Sequence, residues 1–395
     1  MTPTDWSTVA LGTLVGILDH KRVPVSAHER ASRPGSVPYF GATGQVGWID
    51  RPLFEEPLLL LGEDGVQFFD RDKPKAYLID GPSWVNNHAH VLRPHSDVVD
   101  RRFLRYYLDN VDYHGLANGT TRLKLTKSAM CRIPIHLPHL DEQHRIVEIL
   151  EDHLSRLEAA AGYISDAHRH IDLLRASTLA SIWDESLALG PPGTVSELGP
   201  VITGSTPRDR ALRGEEPQLP FVTPGDVSKG QKIEAVARSV PEDAHARSRV
   251  LRSAAVIAVC IGATLGKIGW TDSPVATNQQ INAVLVGENS APFVALLMAS
   301  PAFQSQMRDM ASATTMPILS KRLFSKLNMP LPRPEHQQRL LEKAESVLVA
   351  GARASAASEA SERKRVVLRR ALLAAAFSGR LTGHSTDNVE ELAGV

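Results

Sequence analysis

The stretch "LPHLDEQHRIVEIL", Leu137 to Leu150, returns as "LPRPEHQQRLLEKA", Leu331 to Ala344, and the fold turns on that return. In both copies an apolar, β-like run ("IPIHLP", "LNMPLP") leads into an acidic first turn, Asp141 and Glu142 in one and Glu335 in the other. Negative charge there suits the positive end of a helix dipole. The offset of 194 residues between Leu137 and Leu331 persists without insertion, pairing Arg145 with Arg339, Leu174 with Leu368, Arg175 with Arg369 and Trp183 with Phe377. Apolar residues of the first copy fall at Ile146, Leu150, Leu154, Leu157, Ile164, Ile171, Leu174 and Ile182, spacings that mark one helical face. The second copy carries Leu340, Ala344, Val347, Ala354, Leu368, Leu372 and Ala376 around a small-residue middle, "AGARASAASEAS". Gly351 on that face weakens its helix by about 1 kcal/mol relative to Ala. The pattern predicts two helices of about 40 residues, each about 60 Å long at 1.5 Å per residue. Amphipathic rods of that length cannot bury their faces on a small domain, so they are expected to pair with each other.

Residues 1–136 and 187–332, which precede the helices, are Gly- and Pro-punctuated and carry short apolar runs such as "SVPYF", "EPLLLLG", "KAYLID" and "AAVIAVCIG", read as strands separated by turns. Landmarks recur between them. "VPYF" near Tyr39 echoes "LPFV" near Phe221; "LLLLGEDG" echoes "VIAVCIGATLG"; "WVNNHAHVL" echoes "ATNQQINAVL"; "LKLTKSAM" echoes "PILSKRLF". The expected fold class is α+β, in the order globular domain (1–136), long helix (137–186), globular domain (187–332), long helix (333–380) and flexible tail (381–395).

Composition narrows the partners. Lys plus Arg equals Asp plus Glu at 44 each, so nucleic-acid binding must come from a local basic surface. Cys131 and Cys260 lack CxxC spacing, which argues against a disulfide framework or a zinc ribbon and favours a reducing, cytoplasmic setting. The start "MTPTDWSTVALGTL" is not a signal peptide, and no later run reaches the length of a membrane span, so a soluble protein is expected.

Several stretches imitate catalytic loops. "GATGQVG", Gly41 to Gly47, fits neither the dinucleotide fingerprint nor a phosphate loop. "GATLGKIG", Gly262 to Gly269, has Ile268 after Lys267 where a phosphate loop needs Ser or Thr, and reads as a Gly-rich turn near a DNA phosphate or a tight connection between strands. His88 and His90 in "NNHAH" have no third ligand at metal spacing, and His168 and His170 diverge on a helix, so no metal site is expected. Glu63 and Asp64 in "GEDG" are either inert turn residues or acceptors for a cytosine amino group. Methyltransferase tetrapeptides (Asn-Pro-Pro-aromatic, Asp-Pro-Pro-Tyr), cofactor fingerprints and a motor phosphate loop are missing, so no catalysis by the chain itself is expected.

Order, duplication and spacing together resemble the DNA-specificity subunits of type I restriction-modification systems. The residues that carry the resemblance are the doubled "LP-x-x-(D/E)-x-Q-x-R-(I/L)" entries, "PYFGATGQVGWID", "LLLLGEDG", "ITGSTPRDRALRGEEPQLPFVTPGDVSKG" and "RRALLAAAFSGRL". The second entry departs from the family form, reading Pro334-Glu335-His336-Gln337-Gln338-Arg339. The resemblance implies two target-recognition domains alternating with two helices that pair as an antiparallel coiled coil in a pseudo-two-fold arrangement. It implies double-stranded DNA, two modification subunits and restriction subunits as partners. No cofactor is expected on this chain; S-adenosylmethionine and ATP with Mg belong to the partners.

DNA reading needs phosphate contacts for register and base-edge contacts for identity. Candidates in the first domain are Lys21, Arg22, Thr43, Gln45, Thr120, Thr121, Arg122, Lys124 and Lys127. In the second they are Thr206, Arg208, Arg210, Arg213, Lys267, Gln279, Gln280, Thr314, Thr315, Lys321 and Arg322. Two rods of equal length then act as a ruler, with half-sites about one duplex turn, roughly 34 Å, apart. A coiled-coil adaptor without DNA specificity is the alternative.

Overall fold

The computed structural model describes residues 6–120, 122–206, 218–228, 230–234, 236–241, 250–312 and 316–382. The chain divides into two compact units, residues 1–164 with 360–395, and residues 165–359. Each therefore holds one globular domain and part of both long helices.

In the first unit "LLLL" fills β5 (Leu58–Gly62), and its leucines are fully buried. A continuous apolar run of that kind belongs at the centre of a sheet covered on both faces. It lies between β8 (Ala89–Pro94) and β6 (Ala76–Ile79), and β2 (Val15–Ile17) completes an antiparallel sheet in the order β2-β8-β5-β6. A second sheet sets β3 (Val37–Phe40) between antiparallel β4 (Gln45–Ile49) and parallel β7 (Trp84–Val85). Helices α1 (Ala27–Ala31), α2 (Arg101–Asn110) and α3 (Lys127–Cys131), the pair β9 (Ala117–Asn118) and β10 (Lys124–Leu125), and the pair β1 (Ser7–Ala10) and β11 (Pro134–Leu137) complete the domain before α4 (Leu140–Leu189) begins.

The second unit repeats this plan. The buried run "AVIAV" of β17 (Ala255–Val259) is central in the order β13-β20-β17-β18-β15, where β13 is Val201–Thr203, β20 Ile281–Leu285, β18 Ile268–Thr271 and β15 Gln231–Lys232. β14 (Gln218–Val222) pairs antiparallel with β16 (Ser239–Pro241) and parallel with β19 (Ala276–Thr277), as β3 does with β4 and β7. β12 (Pro192–Thr194) and β21 (Asn328–Pro330) echo β1 and β11, and α5 (Val195–Leu198), α6 (Ala291–Met298), α7 (Pro301–Met310) and α8 (Lys321–Phe324) lead to α9 (Pro334–Phe377). β15 and α7 are additions of the second unit.

The long helices have 50 and 44 residues, more than the 40 or so predicted. α4 starts at Leu140, because Leu137 pairs with Ser7 in β11. α9 ends at Phe377, where Gly379 takes φ 71° and the Arg380 N–H reaches back to the Ala375 carbonyl at 3.0 Å, a glycine-terminated helix end. Leu381 is buried and the Thr382 hydroxyl donates to Glu142, so the predicted tail begins packed; residues 383–395 lie outside those described.

Within the first unit Ile146, Val147 and Leu150 of α4 share a core with Leu372, Leu373 and Ala376 of α9. Within the second, Leu179, Ile182 and Trp183 of α4 share one with Leu340 and Ala344 of α9. The early part of one helix thus meets the late part of the other, an antiparallel pairing. Phe377 stacks edge-on against Tyr107 at 5.0 Å in the first core, and its repeat partner Trp183 lies 6.5 Å from Phe303 in the second. Leu174, placed on the buried face by the sequence, is 53% exposed. It sits about 80° round the helix from Ile182, whereas Arg175 sits about 20° away and takes the place on the face. No helix of the described residues is long and apolar enough to cross a membrane.

The repeated glutamine explains the repeated motif. Gln143 is fully buried; its amide donates to the Pro138 and Val98 carbonyls at 2.9 and 3.0 Å and accepts from the Asp100 N–H at 2.8 Å. Gln337 donates to Pro332 O and Asn289 Oδ1 at 2.8 and 2.7 Å and accepts from the Ser290 N–H at 2.9 Å. Asp100 and Ser290 are the N-caps of α2 and α6. Each glutamine therefore ties a long helix to the domain before it, and the drift of the second entry leaves this tie intact.

Candidate nucleic-acid interface

One end of the first domain collects four separate loops. The Asn86 N–H donates to Phe40 O at 3.1 Å and Glu63 N–H to His88 O at 2.8 Å. Leu125 N–H donates to Glu63 O at 2.7 Å, and Tyr77 Oη to Gly41 O at 2.5 Å. The loops 41–47, 62–65 and 86–88 and the segment 122–125 are thereby fixed side by side. The second domain uses the same bonds: Asn278 N–H to Val222 O at 3.1 Å, Cys260 N–H to Gln280 O at 2.8 Å and Leu319 N–H to Cys260 O at 2.8 Å. Gly65 N–H to Leu123 O finds its match in Gly262 N–H to Pro317 O. Gly65 and Gly262 both have positive φ, 71° and 88°, which makes room for these turns. "GATLGKIG" is therefore the connection between β17 and β18.

Side chains on this shared frame differ. Among the described residues of the first domain, Thr43, Gln45, Thr120, Arg122 and Lys124 are exposed at the loop end. Gln45 turns its amide onto Gly47 O at 3.2 Å. Exposed Val46 and Trp48, 50% and 55% accessible, flank this loop and were not singled out in the sequence. Arg122 pairs with Asp64 at 2.5 Å, and His88 Nδ1 meets the same oxygen at 2.8 Å. Lys124 pairs with Glu63 at 3.0 Å. Lys21 and Lys127 are exposed. Arg22 departs from its predicted role: it bonds Glu63 at 2.7 Å and the Ala89 carbonyl at 2.7 Å, and only 13% of its side chain is accessible. It braces the loops from inside. Glu63 and Asp64, at 12% and 17% accessible, are likewise committed to these cations and are not open acceptors for a base.

Beneath these pairs His90, 1% exposed, places Nδ1 2.7 Å from Asp19 and Nε2 2.9 Å from Leu125 O. Burial alone would raise both carboxyls. Hydrogen bonds from His90 and the Val91 N–H, with the charges of His90 and Arg22, bring Asp19 below its ordinary range. Bonds from Arg22 and Lys124 do the same for Glu63. Among the described residues Asp19, Glu63 and His90 come close enough to hold a metal ion. Arg22 and Lys124 already neutralise the two carboxylates, and both ring nitrogens are engaged, so the set is an ion-pair network. Linear spacing concealed it, since its members come from four distant segments.

The second domain is neutral at the same place. Asn282 stands where His90 does: its amide donates to Leu319 O at 3.2 Å and accepts from Thr203 Oγ1 at 2.6 Å. Burial pushes the Cys260 thiol, in the place of Glu63, up to about 12. Thr206 bonds Gln279, the Asn278 amide donates to Gln280 at 3.2 Å, and Lys267 caps Pro224 O at 3.2 Å, which gathers four candidates at the loop end. Lys321 and Arg322 are exposed on α8, where the Ser320 cap matches the Thr126 cap of α3 and Lys321 matches Lys127. Thr121, Arg208, Arg210, Arg213, Thr314 and Thr315 lie outside the described residues.

Known proteins share this organisation. A solved structure from work on complex assembly and conformational transition of the type I restriction-modification system covers 96% of this chain and 100% of its own, with TM-score 0.72 and 18% identity. The HsdS subunit of Thermoanaerobacter tengcongensis covers 96% and 98%, with TM-score 0.50 and 17% identity. These likenesses are of fold. A putative type I restriction enzyme specificity subunit of Haemophilus influenzae is 33% identical over 144 residues, 36% of this chain and 35% of that protein. The HindI specificity subunit of the same organism is 29% identical over 144 residues, 36% of this chain and 31% of its own. The alignments thus span about a third of these relatives. The model of the type I restriction modification DNA specificity domain matches residues 3–162 and again 192–347, and the chain belongs to that family.

Proposed function

We propose that the chain reads a bipartite, asymmetric DNA site, one half with each globular domain, and directs the methylation and restriction carried out by partner subunits. The observation that carries this reading is the loop-bearing frame built twice from the same backbone bonds, with ionic side chains in one copy and neutral ones in the other. A shared frame presents each reader to DNA in the same way, while different loop side chains select different bases. The long helices serve as the spacer between readers. Two modification subunits, carrying S-adenosylmethionine, and restriction subunits, carrying ATP and Mg, supply the chemistry in the cytoplasm.

The test is modular. Exchanging residues 187–332 for those of a relative with a different target, then mapping methylated bases, is expected to change one half of the site and leave the other. Change in both halves defeats the two-reader model. Inserting about one helical turn between Ala180 and Glu185 is expected to lengthen the spacer alone.

A further inference from the structure

We propose that Asp19 and His90 are a positioning pair for the first reader, holding the segment 122–125, with Arg122 and Lys124, where it meets DNA. The inference rests on the DNA-reading function above. The Leu125 carbonyl can only accept, so the nitrogen 2.9 Å from it, Nε2, carries a proton. The other ring nitrogen, Nδ1, meets the Asp19 carboxylate at 2.7 Å. His90 thus bridges two acceptor groups, linking the turn at Asp19 to the carbonyl just before the Thr126 cap of α3. Glu63 lies 3.8 Å from Nδ1 and ties in Arg22 and Lys124.

The second domain performs the same task with Thr203 and Asn282. Asn282 donates to the Leu319 carbonyl, just before the Ser320 cap, and accepts from the Thr203 hydroxyl. Each pair is internally matched, and mixing them is not. Asn at position 90 can still donate to Leu125 O, but its carbonyl oxygen then faces the Asp19 carboxylate, acceptor against acceptor. Changing Asp19 to Thr as well restores a donor to that contact.

The full chain, assembled with its own modification subunits, is offered a duplex library randomised in both half-sites, and methylated products are sequenced. His90→Asn is expected to lower discrimination about tenfold at one half, the scale of one lost base contact, and leave the other half unchanged. Asp19→Thr with His90→Asn is expected to recover wild-type discrimination to within about threefold, even where the single variant fails to assemble. The assignment is overturned if His90→Asn reads both halves normally, if it weakens both equally, or if the double variant does not recover. A wild-type chain that selects no bipartite site overturns the DNA-reading function itself, which separates the two failures.

Discussion

The two globular domains hold their loops with the same backbone bonds, yet one centres on Asp19, Glu63, His90, Arg22 and Lys124 and the other on Thr203, Cys260 and Asn282. The frame depends on main-chain geometry, which many side chains support. What varies is how each domain's polar interior is satisfied, by paired charges or by neutral hydrogen bonds. Buried charges are costly unless paired, so the first domain is expected to be the more sensitive to losing one member. The second tolerates more because no ion is stranded.

That contrast is most exposed to acid. Asp19 and Glu63 are both held below their ordinary values, so their contribution is present above the unfolded carboxylate range, roughly pH 4, and is lost as pH falls through the lower folded values. Hydrogen exchange resolved by residue is expected to show the 122–125 segment opening under acid before its counterpart around Leu319. Simultaneous opening would mean that the network does not distinguish the two domains.

Single substitutions come next. Glu63→Gln leaves Arg22, 13% accessible, with Asp19 at 3.4 Å as its remaining carboxylate, and is expected to cost about 2–3 kcal/mol, the scale of a lost hydrogen bond between charged groups. Cys260→Ser at the matching place is expected to cost clearly less, and urea melts of both variants measure the gap. Gln143→Leu and Gln337→Leu each remove a buried amide's bonds and should cost about 1–3 kcal/mol in either unit. A large inequality there would show that the two helix ties are not equivalent. The smallest effect is a gain: Gly162→Ala, with open space around its Cβ, and Gly351→Ala, 3.7 Å from Ile171, should each stabilise by about 0.5–1 kcal/mol in thermal melts.

Much of the fold was legible because periodic signals are local. The buried runs of β5 and β17 and the landmark pairs emerged where the sequence placed them. Helix ends were less legible, since Leu137 looks equally suited to a helix entry and to its place in β11 opposite Ser7. Thr43, Gln45 and Lys127, singled out in the sequence, are exposed. The inward role of Arg22 was not legible there, because a basic residue beside Lys21 gives no sign of the carboxylate 41 positions away.

The sequence by itself determined that this protein is a duplicated α+β domain and long-helix unit, because a 194-residue repeat and a helical apolar stripe are properties of order along the chain. Only the tertiary structure decided which charges face outward. Asp19, Glu63, His90 and Lys124 become neighbours through the pairing of β5 with β8 and the bond from Leu125 to Glu63. Electrostatic partnership depends on distance in space and on burial, and neither is written in the spacing of residues.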